Sequence, residues 1–181
     1  MSDALDIAED VTGNYYKFSM AQWKRHRYDV RTLSALTRKE IRPRVFALLN
    51  KTANTVSDDP GMMIRNRDFY FICLQDHRIL HALKKDRQLG LLSLLVYIFT
   101  HELVHIVRFC SFKQRFDLPE TKKKTEEKIV HAKTFEILKD VSVPKLDYIL
   151  DSYRGHRICE TAVTGFSQDY AVSGKPAFPV V

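Results

Sequence analysis

His101-Glu102-Leu103-Val104-His105 carries the clearest chemistry in this sequence. On a helix, residues four apart lie on one face, so the two imidazoles can close on one metal ion. Glu102 then sits beside the ion's open position, where its carboxylate can take a proton from bound water. Zinc suits this set, because it accepts imidazole ligands and lowers the pKa of its water toward about 7. The bland alternative is a pair of hydrogen-bonded core histidines. That account serves for one lone His, but it leaves the spacing and the intervening Glu unexplained.

Zinc needs a third protein ligand, and a catalytic site keeps a fourth position open. The stretch Glu126-Glu127-Lys128-Ile129-Val130-His131 opens a second amphipathic segment, with Thr125 as an N-cap candidate. Glu127 and His131 are four apart and share a face. We take Glu127 as the third ligand and His131 as a residue that orients the site by hydrogen bonding. His131 itself is the rival ligand. At least one of Glu126 and Glu127 also fits as an ordinary acid at the start of a helix, where the dipole favours negative charge.

An HExxH motif followed, after 21 intervening residues, by a helical Glu resembles the gluzincin clan of zinc peptidases. The resemblance implies Glu127 as the metal ligand and a supporting polar residue four places later, where His131 stands. Most members carry Asp or Asn there, so His131 departs from the pattern. A third His ligand would resemble the SprT-like zinc peptidases instead. In size the chain is similar to the minimal gluzincins, which include bacterial peptidases that cleave phage-type repressors. The likeness spans residues 68–140 in pattern only. It implies a zincin-like fold, a Zn2+ cofactor, a peptide or protein substrate, and Glu102 as the group that moves the proton.

Such enzymes commonly add a Tyr, His or Arg from a later segment to hold the developing oxyanion. The candidates are Tyr148, Tyr153, Arg154 and His156. His156 and Tyr153 stand first, because Gly155 stops the helix beside them. Taken singly, each is as readily a surface or packing residue. The clan also places an edge strand along the cleft. Residues 68–75, DFYFICLQ, are the natural strand, and a peptide could add to such an edge by main-chain hydrogen bonds.

The elements that must position these groups read as mostly helical. LGLLSLLVYIFT, residues 89–100, runs without Pro into the motif. It predicts a buried helix over about 86–110, capped at Asp86. Its apolar half is shorter than the ~20 residues a bilayer crossing needs. Residues 14–27 and 33–50 predict two or three further helices, interrupted near Arg42-Pro43. RFDLPETKKK, residues 115–124, reads as a polar loop. Pro144 opens a last helix to about Arg154, and residues 1–10 and 173–181 read as irregular. The expected architecture is α+β: one domain, mostly helical, with a short sheet packed on the HExxH helix.

A chain of 181 residues with 45% hydrophobic content can bury a core of its own. Cys73, Cys110 and Cys159 are widely spaced and form no CxxC pair, which argues for a reducing compartment. No signal peptide is legible at the acidic start, so we expect a cytoplasmic protein without a membrane segment. The net charge of +7 raises a second class, a nucleic-acid-binding module with a structural metal. Lys24, Arg25, His26 and Arg27 follow Trp23, and Lys122 to Lys124 form another run. No helix-turn-helix, RNP or finger signature accompanies them, and short basic runs are usually solvated faces. A third class is a carboxylate di-iron bundle, since Glu102 and His105 also form a Glu-x-x-His unit. It requires a second such unit, and Glu40, Glu136 and Glu160 are not in register for one.

Overall fold

The computed structural model describes residues 1–56, 65–111, 113, 120–154 and 166–167. In chain order these form α1 (Ser2–Tyr16), α2 (Met20–Arg25), β1 (Tyr28–Arg31), a 3-10 turn (Leu33–Ala35), β2 (Ala47–Val56) and β3 (Arg65–Leu74). There follow α3 (Asp76–Lys85), α4 (Leu91–Cys110), α5 (Glu120–Leu138), α6 (Leu146–Arg154) and the short β4 (Phe166–Ser167). The fold class is α+β.

α4 is the axis of the molecule. Leu94, Val96, Ile98, Phe99, Leu103, Val104 and Ile106 are all fully buried along it, which explains an apolar run with no polar face. By length and composition α4 could cross a membrane, but 83% of that stretch is buried inside the fold. It is a core helix. α1 reaches it through Ala4, Ala8 and Thr12, each 0% exposed. Their spacing of four puts them on one face, and their small side chains let the helices approach closely. α5 presents Glu126, Val130, Thr134 and Leu138 by the same spacing, all buried. α6 adds Leu146, Ile149 and Leu150 to the same core.

The sheet has the order β1-β3-β2-β4. β3 runs parallel to β1 and antiparallel to β2, in a register that pairs Leu49 with Ile72 and Ala47 with Leu74. These residues and Tyr70 share the core with α4. The opposite face carries Leu48, Asn50 and Cys73, which are also buried. There Glu40 accepts hydrogen bonds from the backbone N–H and hydroxyl of Thr37 at 2.7 and 2.8 Å, and from Asn50 at 3.3 Å.

Several expectations change here. Beyond the 3-10 turn at Leu33–Ala35, the stretch to residue 50 is not helical: Val45 to Leu49 enter a strand buried on both faces, and such a continuous apolar run has no period to distinguish it from a helix. Residues 2–10 are helical, not irregular. The helix expected over 14–27 breaks instead at Lys17, whose φ of 55° closes α1, and Ser19 restarts the chain with a capping box to Gln22. The strand expected over 68–75 exists as β3, but it lies inside the sheet and not at an edge.

The HExxH helix begins at Leu91 and not at Asp86. Asp86 closes a turn through Gln88 and ends α3, which the sequence reading passed over. α5 begins at Glu120, so Thr125 lies within it and does not cap it, and Lys122 to Lys124 are helical.

Candidate metal centre

α4 places His101 and His105 one turn apart, and their Nε2 atoms face each other at 3.2 Å. α5 crosses this face in the opposite direction and brings Glu127 against both. One carboxylate oxygen is 3.3 Å from His101 Nε2 and the other 3.3 Å from His105 Nε2. Four donors set tetrahedrally about 2.1 Å from one zinc ion would be roughly 3.4 Å apart. One donor atom from each of the three residues lies within 4.8 Å of the others, close enough for a shared zinc after small side-chain adjustments. Among the described residues, these three form the His, Cys, Asp and Glu group able to hold an ion. Two imidazoles and one carboxylate are also the donor set of a catalytic zinc with one position left open.

Burial governs the electrostatics. Both imidazoles are fully buried, and the Glu127 side chain is 20% exposed. Desolvation lowers His101 to about 3, against the hydrogen bond it donates to Glu127, which raises it, so this ring is neutral and fit to ligate at pH 7. Burial alone would push the Glu127 carboxyl up. The neighbouring His105, and the hydrogen bonds from both imidazoles, outweigh burial and hold it well below the usual carboxylate range. Glu102 is the opposite case. It is 0% exposed, and neither carboxyl oxygen has a hydrogen-bond partner among the described residues. Burial first, and the Glu127 charge second, push it well above the usual range. A fully buried carboxyl without partners is costly. Its persistence beside the donor cluster fits a site built around a polar guest. His101 Nδ1 is likewise buried without a partner among the described residues.

The other residues singled out in the sequence take distinct places. Glu126 turns from the cluster to form a two-pronged bond with Arg108, at 2.5 and 2.9 Å. It is neither a ligand nor a first-turn acid. His131 stands beside the cluster, its ring centroid 4.5 Å from that of His101, but it is not one of the converging donors. Its Nδ1 is 2.9 Å from the hydroxyl of Tyr97. Tyr148 bonds Asp86 at 2.6 Å, and so braces α6 against the α3–α4 turn. Tyr153 lies on α6, but its side chain, that of Arg154, and all of His156 fall outside the described residues. Lys122 and Lys124 are exposed on α5, as a solvated face would be.

Sequence reasoning missed Tyr97 and Arg108. The signal was available, since residues 97, 101 and 105 repeat every four on α4 and Arg108 follows by three. Tyr97 lies inside the apolar run, and Arg108 lies past the motif, where the sequence reading singled out no residue. Comparison with protein families, curated proteins and solved structures returned no match to this chain.

Proposed function

We propose that the protein is a zinc-dependent peptide-bond hydrolase of gluzincin-like type, with His101, His105 and Glu127 as ligands. The observation that supports this reading most is the convergence of those three side chains, one donor atom of each within 4.8 Å of the others, beside the carboxyl of Glu102, which has no hydrogen-bond partner among the described residues. The core sheet packed on α4 is compatible with a zincin-like arrangement. A zinc ion at these donors supplies Lewis acidity toward a substrate carbonyl and an acidified water.

The chain's own groups do the rest. Glu127 is held ionised, and His101 is held neutral, so neither proton competes for the ligand positions near pH 7. Glu102 takes the proton from the attacking water on a carboxyl oxygen and returns it to the leaving amine nitrogen. The burial that raises its pKa favours the second half of that task, because a carboxyl that holds its proton can deliver it to the amine.

Metal analysis and a peptide-hydrolysis assay test the reading together. The wild-type chain should purify with one zinc, and Glu127→Ala should lose it. Glu102→Gln should keep the zinc and lose hydrolysis by about 10²- to 10⁴-fold. A wild-type chain that takes up no zinc at micromolar concentration, or a Glu102→Gln variant with full activity, would overturn it. Two irons per chain would point to the di-iron class instead.

A further inference from the structure

β1 is an edge strand of the sheet. The Tyr70 N–H bonds the Arg27 carbonyl at 3.1 Å, and in a parallel pair alternate residues turn their main chain toward the partner. Arg27, Asp29 and Arg31 therefore face β3, and Tyr28 and Val30 turn their N–H and C=O groups outward. The Asp29 carboxylate takes the Val30 N–H at 2.9 Å. The Tyr28 N–H, the Tyr28 carbonyl and the Val30 carbonyl make no hydrogen bond among the described residues. Beside this edge lies a cavity of about 470 Å³ between β1, α2 and α1, walled by Leu5, Met20, Trp23 and Val30 among others. It lies against a different face of α1 from the one that Ala4, Ala8 and Thr12 bury on α4.

The charges of this groove are ordered along it. Lys24 and Arg27 line the cavity and are exposed, and neither side chain is bonded to an acid among the described residues. The acids of the same cavity are engaged: Glu9 accepts from the Tyr28 hydroxyl at 2.5 Å, and Asp29 holds the Val30 N–H. A second cavity, of about 610 Å³, shares Glu9, Met20 and Trp23 as walls and carries Asp6 and Asp10 against the single cation Lys17. The groove thus changes sign from one end to the other. Its middle is apolar, and Met20 there is 73% exposed.

We propose that this groove docks an extended segment of another protein, laid along β1, with an acidic residue at Lys24 and Arg27, an apolar residue over Met20 and Trp23, and a basic residue at Asp6 and Asp10. An extended backbone supplies the donors and acceptor that Tyr28 and Val30 lack, and every second side chain then points into the cavity. The opposed charges fix which way the segment runs. A nucleic acid fits less well, because Asp6 and Asp10 would repel the phosphates that Lys24 and Arg27 attract. The inference uses no group of the metal centre, so it stands or falls apart from the peptidase reading.

Selection of a phage-displayed library of random linear peptides on the full chain tests this. The enriched peptides should carry an acidic, an apolar and a basic residue in that order along one direction. Binding of a synthetic enriched peptide should slow hydrogen exchange at the Tyr28 amide. Met20→Asp, at an exposed position, should weaken that peptide about tenfold or more. Lys24→Glu with Arg27→Glu should weaken it likewise and, on reselection, enrich peptides with a basic residue in place of the acidic one. That switch is a gain of binding, which a misfolded variant could not give. No enrichment, or enriched peptides whose affinity survives both variants, would overturn the proposal. So would peptides lost with Glu127→Ala but kept with Met20→Asp, since these occupy the metal centre. A wild-type dimer that Met20→Asp dissociates would replace the partner segment with a second copy of this chain. A single-stranded oligonucleotide that binds more tightly than the best peptide, and is lost with Lys24→Glu and Arg27→Glu, would make the groove a nucleic-acid site instead.

Discussion

Arg108 and Glu126 grip each other across α4 and α5, three residues beyond His105 and one before Glu127. With Tyr97 and His131 at the other end, they bracket the donor cluster. The two helices are thus pinned by polar contacts above and below the position where the candidate ligands His101, His105 and Glu127 meet. Ligands drawn from two helices need a fixed register, because a slip of one residue would turn Glu127 off the shared face.

Removing one arm of the Arg108–Glu126 clasp should be costly. The side chains are 12% and 4% exposed, so Arg108→Met would strand a largely buried carboxylate. The expected loss is about 3 kcal/mol in urea unfolding of the metal-free protein, accompanied by zinc binding weaker by tenfold or more. Replacing both residues with Met should recover much of the stability but not the zinc affinity. Unfolding and zinc titrations of Arg108→Met that match wild type would refute a positioning role for the pair.

Glu102 predicts an exchange of stability against activity. Its carboxyl is buried with no partner among the described residues, which costs folding free energy that an apolar side chain of similar length would not. Glu102→Met should therefore raise the stability of the metal-free protein by about 1–3 kcal/mol while abolishing hydrolysis. Chemical denaturation in the presence of a chelator reads this out. A destabilised Glu102→Met variant would mean that the carboxyl is satisfied in the fold and is not held in reserve for chemistry.

The sequence exposed the site better than the fold. His101, His105 and Glu127 were legible because helical spacing alone fixes which side chains share a face, and the structure brings those three together. Glu126 and His131 were not separable by spacing. What distinguishes them is Arg108 and Tyr97 on the neighbouring helix, and such contacts are tertiary. The N-terminal half misled for a related reason. Val45 to Leu49 is apolar at every position because both faces of the strand are covered, one by α4 and the other by the Glu40 segment. Helix boundaries slipped at Asp86 and Thr125, where good capping residues serve a turn and a helix interior instead.

Acid should weaken the brace between α6 and the α3–α4 turn. The Tyr148 hydroxyl bonds the Asp86 carboxylate at 2.6 Å, and this bond, followed by the Gln88 N–H, lowers the Asp86 pKa. A carboxyl whose folded pKa lies below its unfolded value adds stability above the unfolded pKa, about 3.9. That stability is lost as pH falls through the folded value. Tyr148→Phe should accordingly be less stable than wild type at pH 6, with the gap narrowing below about pH 4. A gap constant from pH 6 to pH 2 would show that the phenol does not act through the Asp86 charge.

The two described cysteines should be nearly inert until the protein opens. Burial, and then the Glu40 charge, push the Cys73 thiol up to about 12, and burial pushes Cys110 up to about 12 as well. Since only the thiolate attacks an alkylating reagent, such a thiol has about a thousandfold less reactive form at pH 8 than an ordinary cysteine. In a Cys159→Ser background, thiol labelling of the native protein should lag a free-cysteine peptide by about that factor. It should accelerate with denaturant along the unfolding curve, because Cys73 is 0% exposed and reaches the reagent only when β3 leaves the sheet. Fast labelling of Cys73 under native conditions would place that face of the sheet in contact with solvent, and would remove the covered setting in which Glu40 and Asn50 are bonded.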